Sequence, residues 1–152
     1  MRLQLALNVK DLDAAIDFYG KMFGAEVHKR KPGYANFAID EPPLKLVLFE
    51  SSDAPDRINH LGVEVFADEQ VGQATDRLKA AGLETSVEDE ATCCYAKQNK
   101  VWATEPDGLR WEWYKVVEDS ETFFADSAAK ADSEPARGAA SESGGAGSLG
   151  CC

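Results

Sequence analysis

The sequence predicts an α+β fold in which two βαβββ modules pair into an open β-barrel around a metal-sized cavity. Three observations predict it. The order strand, helix, three strands runs through about residues 1–50 and begins again at about residue 60. The two runs align by eye. Gln4-Leu5-Ala6-Leu7-Asn8-Val9 lies on His60-Leu61-Gly62-Val63-Glu64-Val65, and Phe23-Gly24-Ala25-Glu26 lies on Ala81-Gly82-Leu83-Glu84. Leu44-Lys45-Leu46-Val47-Leu48-Phe49 lies on Leu109-Arg110-Trp111-Glu112-Trp113-Tyr114. Each run also has one helix with a single apolar stripe and a sheet that needs cover, so pairing the sheets buries both.

The elements follow in chain order. Leu3–Val9 alternates apolar and polar residues, the period of a half-buried strand. Asp11 offers a helix N-cap, and Leu12, Ala15, Ile16, Tyr19 and Phe23 recur at helical spacing until Gly24 stops them. Ala25–Lys31 reads as a strand, Pro32-Gly33 as a turn, and Tyr34–Ile39 as a third strand. Glu41-Pro42-Pro43 breaks that strand, and Leu44–Glu50 is the fourth. Ser51–Asn59 is a polar linker. His60–Val65 then restarts the order. Asp68 or its successor caps a helix to Ala81 with Val71, Ala74, Leu78 and Ala81 on its apolar side, and Gly82 ends it. Thr85–Glu88 is a short strand, and the polar run through Thr92 reads as a loop leading to Cys93-Cys94. Lys100–Thr104 is a strand, Glu105-Pro106-Asp107-Gly108 a turn, and Leu109–Val116 the last strand. One domain is expected over 1–117, with modules at about 1–50 and 60–117. From 118 to 152 small and acidic residues dominate, which predicts a flexible tail ending in Cys151-Cys152.

Composition limits the partners. At 152 residues and 44% hydrophobic, the chain can build one core. A formal net charge of −11 argues against nucleic acid and anionic membrane surfaces, which need a basic face. No apolar run approaches a membrane span, and the N-terminus lacks the pattern of a secretory signal. All 4 cysteines stand in adjacent pairs. Neighbouring Cα atoms lie about 3.8 Å apart, below the disulfide range of roughly 4.4–6.8 Å. Neither pair is a structural staple, and the reducing cytoplasm is the expected compartment.

The repeat also points to chemistry. Positions 4 and 60 are equivalent, as are 47 and 112, so Gln4, His60, Val47 and Glu112 converge if the modules pair about a pseudo-twofold axis. An amide oxygen, an imidazole nitrogen and a carboxylate suit Fe(II), Mn(II), Ni(II) or Zn(II) with positions left open. Val47 has no donor. Singly each residue has a bland reading as a polar strand residue, and the equivalence is what joins them. Cys93 and Cys94 could be small apolar fillers, or two soft ligands for one soft centre, which in a regular strand would face opposite ways. Cys151 and Cys152 have no core around them, so a thiol role such as delivery or scavenging is open to them. His28, between basic residues, reads as solvated. Trp102, Trp111, Trp113 and Tyr114 read as core or cavity wall, and Tyr34, Asn36 and Lys100 as possible cavity residues.

The double repeat with Gln4, His60 and Glu112 resembles the vicinal oxygen chelate superfamily of glyoxalases, extradiol dioxygenases and antibiotic-resistance proteins. Lys31–Ile39, Pro42–Leu48, Asn59–Val65, Thr92-Cys93-Cys94-Tyr95-Ala96 and Lys100-Val101-Trp102 resemble the organoarsenical carbon–arsenic lyases and the closely similar cadmium-induced proteins. The likeness covers about residues 1–117. It implies Fe(II) on Gln4, His60 and Glu112, and a trivalent organoarsenical such as methylarsonous acid or a reduced aromatic arsenical on Cys93 and Cys94. It implies O2-dependent cleavage of the carbon–arsenic bond with release of arsenite, by a monomer or homodimer. A thiol-based Cd(II) or As(III) binder without catalysis is the alternative. A glyoxalase-like isomerase is disfavoured because it leaves the thiol pair without a task.

Overall fold

The computed structural model describes residues 1–124. The expected tail, including Cys151 and Cys152, lies outside them from residue 125 onward. The elements are β1 (Arg2–Val9), α1 (Leu12–Phe23), β2 (Lys29–Lys31), β3 (Tyr34–Ile39), β4 (Leu44–Glu50), β5 (Ile58–Glu64), α2 (Glu69–Ala80), β6 (Thr85–Cys93), β7 (Ala96–Thr104) and β8 (Arg110–Asp119). This is βαβββ twice, as the sequence predicts. The strands form one curled sheet in the order β2-β3-β4-β1-β5-β8-β7-β6.

The sheet carries the repeat in its pairing. In each module the first strand runs parallel to the last, β1 with β4 and β5 with β8. The modules meet where β1 runs antiparallel to β5, so both halves of the half-barrel come from one chain. Ala6 faces Val47 in the first module and Gly62 faces Glu112 in the second, the register that the aligned sequences require.

Period two sorts each strand onto two faces. Leu7, Val9, Phe37, Leu46 and Leu48 lie on the convex side, packed under Leu12, Ile16 and Tyr19 of α1. Val65, Val101 and Trp113 do the same under Val71, Ala74 and Leu78 of α2. The concave side keeps Gln4, Ala6, Val47, His60, Glu112 and Tyr114, all buried. Burying those apolar faces supplies the driving force, on the order of 25 cal/mol per Å², and leaves the polar side chains facing each other inside.

Two strands are longer than expected, β7 beginning at Ala96 and β8 running to Asp119, past the boundary expected at 117, and three further local expectations differ. The second strand is only Lys29–Lys31, because β3 pairs with it from Lys29↔Asn36 to Lys31↔Tyr34 and residues 25–28 arrive outside that ladder. Asp68 does not cap α2 through its side chain, which pairs instead with Lys115. Gln70 Oε1 takes the nearby amides of Phe66 and Ala67. The third difference bears on function. The run expected as a loop before Cys93 is strand, and β6 pairs with β7 as far as Cys93↔Ala96. Charge does not break it because Glu88, Asp89 and Glu90 lie at an outer strand open to water, where a register shift between Glu88 and Ala91 absorbs the irregularity.

Candidate metal centre and thiol turn

Gln4 comes from β1, His60 from β5 and Glu112 from β8, three neighbouring strands whose concave faces point the same way. Their polar ends meet. Gln4 Nε2 is 2.9 Å from His60 Nε2 and donates to Glu112 Oε1 at 2.6 Å, and His60 Nε2 is 3.2 Å from that same oxygen. The three residues expected from the repeat are therefore one cluster, each at most 4% exposed. Val47 borders the same space and contributes no donor.

The cluster can be tested as a metal site. Bonds of about 2.0–2.1 Å place adjacent ligands of an octahedral ion about 2.9 Å apart, close to the three separations above. An imidazole nitrogen, a carboxylate oxygen and an amide oxygen together suit a borderline divalent ion. Among the described residues no cluster of three His, Cys, Asp or Glu side chains exists that could hold an ion, so the amide is needed to complete the set. Gln4 now turns its NH2 inward while its Oε1 accepts from Tyr114 OH. Turning the amide over presents the oxygen to the centre and leaves Nε2 facing the phenol oxygen, which can accept. The donor set fits a divalent first-row ion.

Neighbouring groups fix the donors. At the β1–β5 seam the register shifts between Ala6 and Leu7, so Asn59 stands as an extra residue beside His60. Such a bulge lets neighbouring side chains share a side of the sheet. Asn59 Oδ1 sits 2.8 Å from His60 Nδ1, and Asn59 Nδ2 donates to Asn8 Oδ1 at 3.0 Å. With its Nδ2 thus committed, Asn59 turns an acceptor to the ring, which puts the imidazole proton on Nδ1 and the lone pair of Nε2 toward the cluster. Lys100, only 1% exposed, donates to Glu112 Oε2 at 3.2 Å and leaves Oε1 for the centre. Burial pushes the Glu112 carboxyl up, but the Lys100 charge, joined by His60 when its ring carries both protons, outweighs it and holds it at about 2. Burial raises Tyr34 to about 12 and Tyr114 well above the ordinary phenol range, so both stay protonated.

The cysteine pair forms the tip of the β6–β7 hairpin. Cys94 and Tyr95 are its two turn residues, with φ of 56° and 60°. Two positive φ values mark the turn type that suits a two-residue hairpin, normally filled by Asn-Gly. Holding Cys and Tyr there costs on the order of 1–3 kcal/mol each. The consequence is that the two sulfurs converge, with Sγ atoms 3.0 Å apart. A regular strand would have sent them to opposite faces. The tip is anchored: Lys29 Nζ donates to Tyr95 O at 3.1 Å, Ser120 N donates to the same oxygen at 2.9 Å, and Cys93 bridges to Phe124.

Cys94 and the cluster border one cavity. Cys94 lines a cavity of about 10 Å³ with Gln4, His60, Glu112, Val47, Phe49 and Gln98. It also lines an adjoining cavity of about 110 Å³. Phe123 packs against the aromatic rings beside it, 5.4–6.3 Å from those of Tyr95, Phe49 and Tyr34. Asn59, Gln98 and Phe123 carry no signal of the site in the alternation of the strands, and Tyr114 reads only as core or cavity wall. Only the bulge, the parallel register and the returning chain after Asp119 bring them in. His28 is exposed, as expected of a solvated residue.

Comparison with known proteins places this arrangement. Residues 3–113 match the Glyoxalase/Bleomycin resistance protein/Dioxygenase superfamily. The chain is 59% identical over 122 residues to the cadmium-induced protein CadI of Mycobacterium tuberculosis, with 80% of each chain covered. It is 54% identical over 132 residues to a trivalent organoarsenical cleaving enzyme of Thermomonospora curvata, covering 86% of this chain and 84% of that one. A Mn(II)-bound glyoxalase from Novosphingobium aromaticivorans shares the fold, with a TM-score of 0.57 at 22% identity over 81% of this chain and 41% of that one. No helix among the described residues is long and apolar enough to cross a membrane. Element order, parallel module pairing and these matches agree: the chain belongs to the Glyoxalase/Bleomycin resistance protein/Dioxygenase superfamily.

Proposed function

We propose that the protein cleaves the carbon–arsenic bond of trivalent organoarsenicals in an Fe(II)- and O2-dependent reaction that releases arsenite, in the cytoplasm. The observation that carries this is that Cys94 and the Gln4–His60–Glu112 cluster wall the same cavity. The relative named as a trivalent organoarsenical cleaving enzyme supports it.

The residues divide the work. Cys93 and Cys94 displace the two hydroxyls of an arsonous acid. Two As–S bonds form, two As–O bonds break, and each thiol proton leaves with a hydroxyl as water. The carbon substituent stays on arsenic. Soft sulfur suits soft As(III) where hard oxygen donors do not. Gln4, His60 and Glu112 would hold Fe(II), which supplies the redox chemistry with O2 that the thiols lack. The shared cavity brings the carbon–arsenic bond to that centre, so proximity replaces a bimolecular encounter. Lys100 keeps Glu112 ionised, Asn59 holds the His60 tautomer, and Phe49 and Phe123 keep bulk water out.

A second reading has its own observation. Two sulfurs 3.0 Å apart are a soft-metal site by themselves, and the mycobacterial relative is named for induction by cadmium. A sequestering protein would need only the thiols. Two variants separate the readings. Under the lyase reading, Glu112→Ala abolishes arsenite formation and keeps stoichiometric arsenical binding, while Cys93→Ser with Cys94→Ser abolishes both. Arsenical resistance in cells that survives Glu112→Ala would favour sequestration.

A further inference from the structure

Among the described residues two buried side-chain atoms have no hydrogen-bond partner, and one of them, Gln98 Oε1, belongs to the wall of the site. Gln98 is 5% exposed. Its Nε2 donates to Cys93 O at 3.4 Å, so the amide cannot simply be turned over: that would set two oxygens against each other. A buried acceptor without a donor is costly and marks a place where a ligand or a water completes the bonding.

Gln98 walls both the small cavity of the cluster and the adjoining one of about 110 Å³, and Cys94 lines both. The small cavity, about 10 Å³, takes one water-sized group at most. An arsenic atom on the two sulfurs therefore has the larger space beside it for its organic group. Cavities of about 150 Å³ take up benzene, so this one, at about 110 Å³, takes a short chain or the near part of a ring. Three cations on its wall face two carboxylates. Lys45 bonds Glu64 at 3.1 Å, Arg2 bonds the other oxygen of Glu64, and Lys29 bonds Asp119. Asn36 Nδ2 is committed to Tyr34 OH at 2.7 Å. That excess of one positive charge opposes a cationic group, and the unpartnered Gln98 Oε1 calls for a donor, so the donor that suits the wall is a neutral one.

We infer that this cavity is the subsite for the organic group of the arsenical, and that Gln98 selects groups bearing a neutral hydrogen-bond donor, an amino or hydroxyl substituent. The inference rests on the arsenical reading above and adds which arsenicals are preferred. The test measures binding of phenylarsonous, 4-aminophenylarsonous and 4-hydroxyphenylarsonous acids to the full-length metal-free chain by tryptophan fluorescence, and kcat/KM for each with the Fe(II)-loaded protein. A site built to bond a donor discriminates strongly against the analogue that lacks it. Wild type should favour the two donor-bearing acids by about tenfold. Gln98→Met, of similar length but without the acceptor, should bring all three within about twofold. Gln98→Asn, which keeps both the acceptor and the donor on a shorter stem, should retain part of the preference, so folding trouble in one variant does not spare the idea. Equal binding of the three acids by wild type, or an undiminished preference in Gln98→Met, overturns the subsite and leaves Gln98 Oε1 to a water. Failure of wild type to bind any of the three overturns the arsenical reading itself, a separate result.

Discussion

Gly62 faces Glu112 across the parallel β5–β8 pair, where Ala6 faces Val47 in the other module. A Cβ on residue 62 would stand 2.9 Å from Glu112 Cγ, 3.3 Å from Glu112 O and 3.4 Å from Gln4 Cβ. Carbon atoms in contact prefer about 3.5–4.0 Å, so the first contact is short by at least about 0.6 Å. Glu112 cannot swing aside cheaply, because Lys100 holds one carboxylate oxygen and the cluster holds the other. Gly62→Ala should therefore spread the strand pair or displace the carboxylate. Overpacking of this kind costs about 1–3 kcal/mol, and misplacing a ligand weakens metal binding about 10–100-fold. The assays are urea unfolding of the metal-free chain and calorimetric titration with Mn(II). Gly72→Ala on α2 is the control, since nothing lies within 4 Å of its added Cβ. It should stabilise by up to about 1 kcal/mol through helix propensity, with unchanged metal affinity. A Gly62→Ala protein that binds Mn(II) like wild type would refute the reasoning.

Other consequences can be checked in parallel. Asn59→Ala removes the acceptor on His60 Nδ1 and should weaken Mn(II) binding about 10–100-fold in the same titration, with little change in arsenical binding. Glu112 has its carboxyl held below the ordinary value of 4.5, at about 2. Its contribution is present above pH about 4.5 and is lost as pH falls toward about 2, roughly 3 kcal/mol in all. Acid unfolding of the metal-free protein should therefore be steeper over that window than in Glu112→Gln, and equal slopes would argue against the ion pair. Ending the chain after Phe124 should preserve arsenical binding, whereas ending it after Asp119 removes Phe123 and the Ser120–Tyr95 bond and should weaken it. Equal affinities would remove Phe123 from the site.

The module repeat was readable because each half must bury a helix and one face of a sheet, which imposes the same apolar spacing twice. That repeat also gave Gln4, His60 and Glu112, since equivalent positions in two-fold related strands face a common axis. Composition predicts a flexible tail from residue 118, yet Phe123 packs on Tyr34 and Phe49. Composition describes an average, and a single aromatic can dock. The run before Cys93 reads as a loop because it is polar, while an edge strand tolerates charge on its open side. The sulfurs converge through two positive φ values at Cys94 and Tyr95, residues whose types do not announce that conformation. Asn59 was hidden for a similar reason: a bulge changes which way a side chain faces without leaving a mark in the alternation.

The two-part site is tested most directly by one speciation experiment. Fe(II)-loaded protein is mixed anaerobically with one equivalent of methylarsonous acid, sampled, and then opened to air. The arsenical should be protein-bound and intact before air, with arsenite appearing only afterwards. Arsenite formed without air, or none formed in air by protein verified to hold both iron and arsenical, would contradict the proposal that thiols and metal act on one bond.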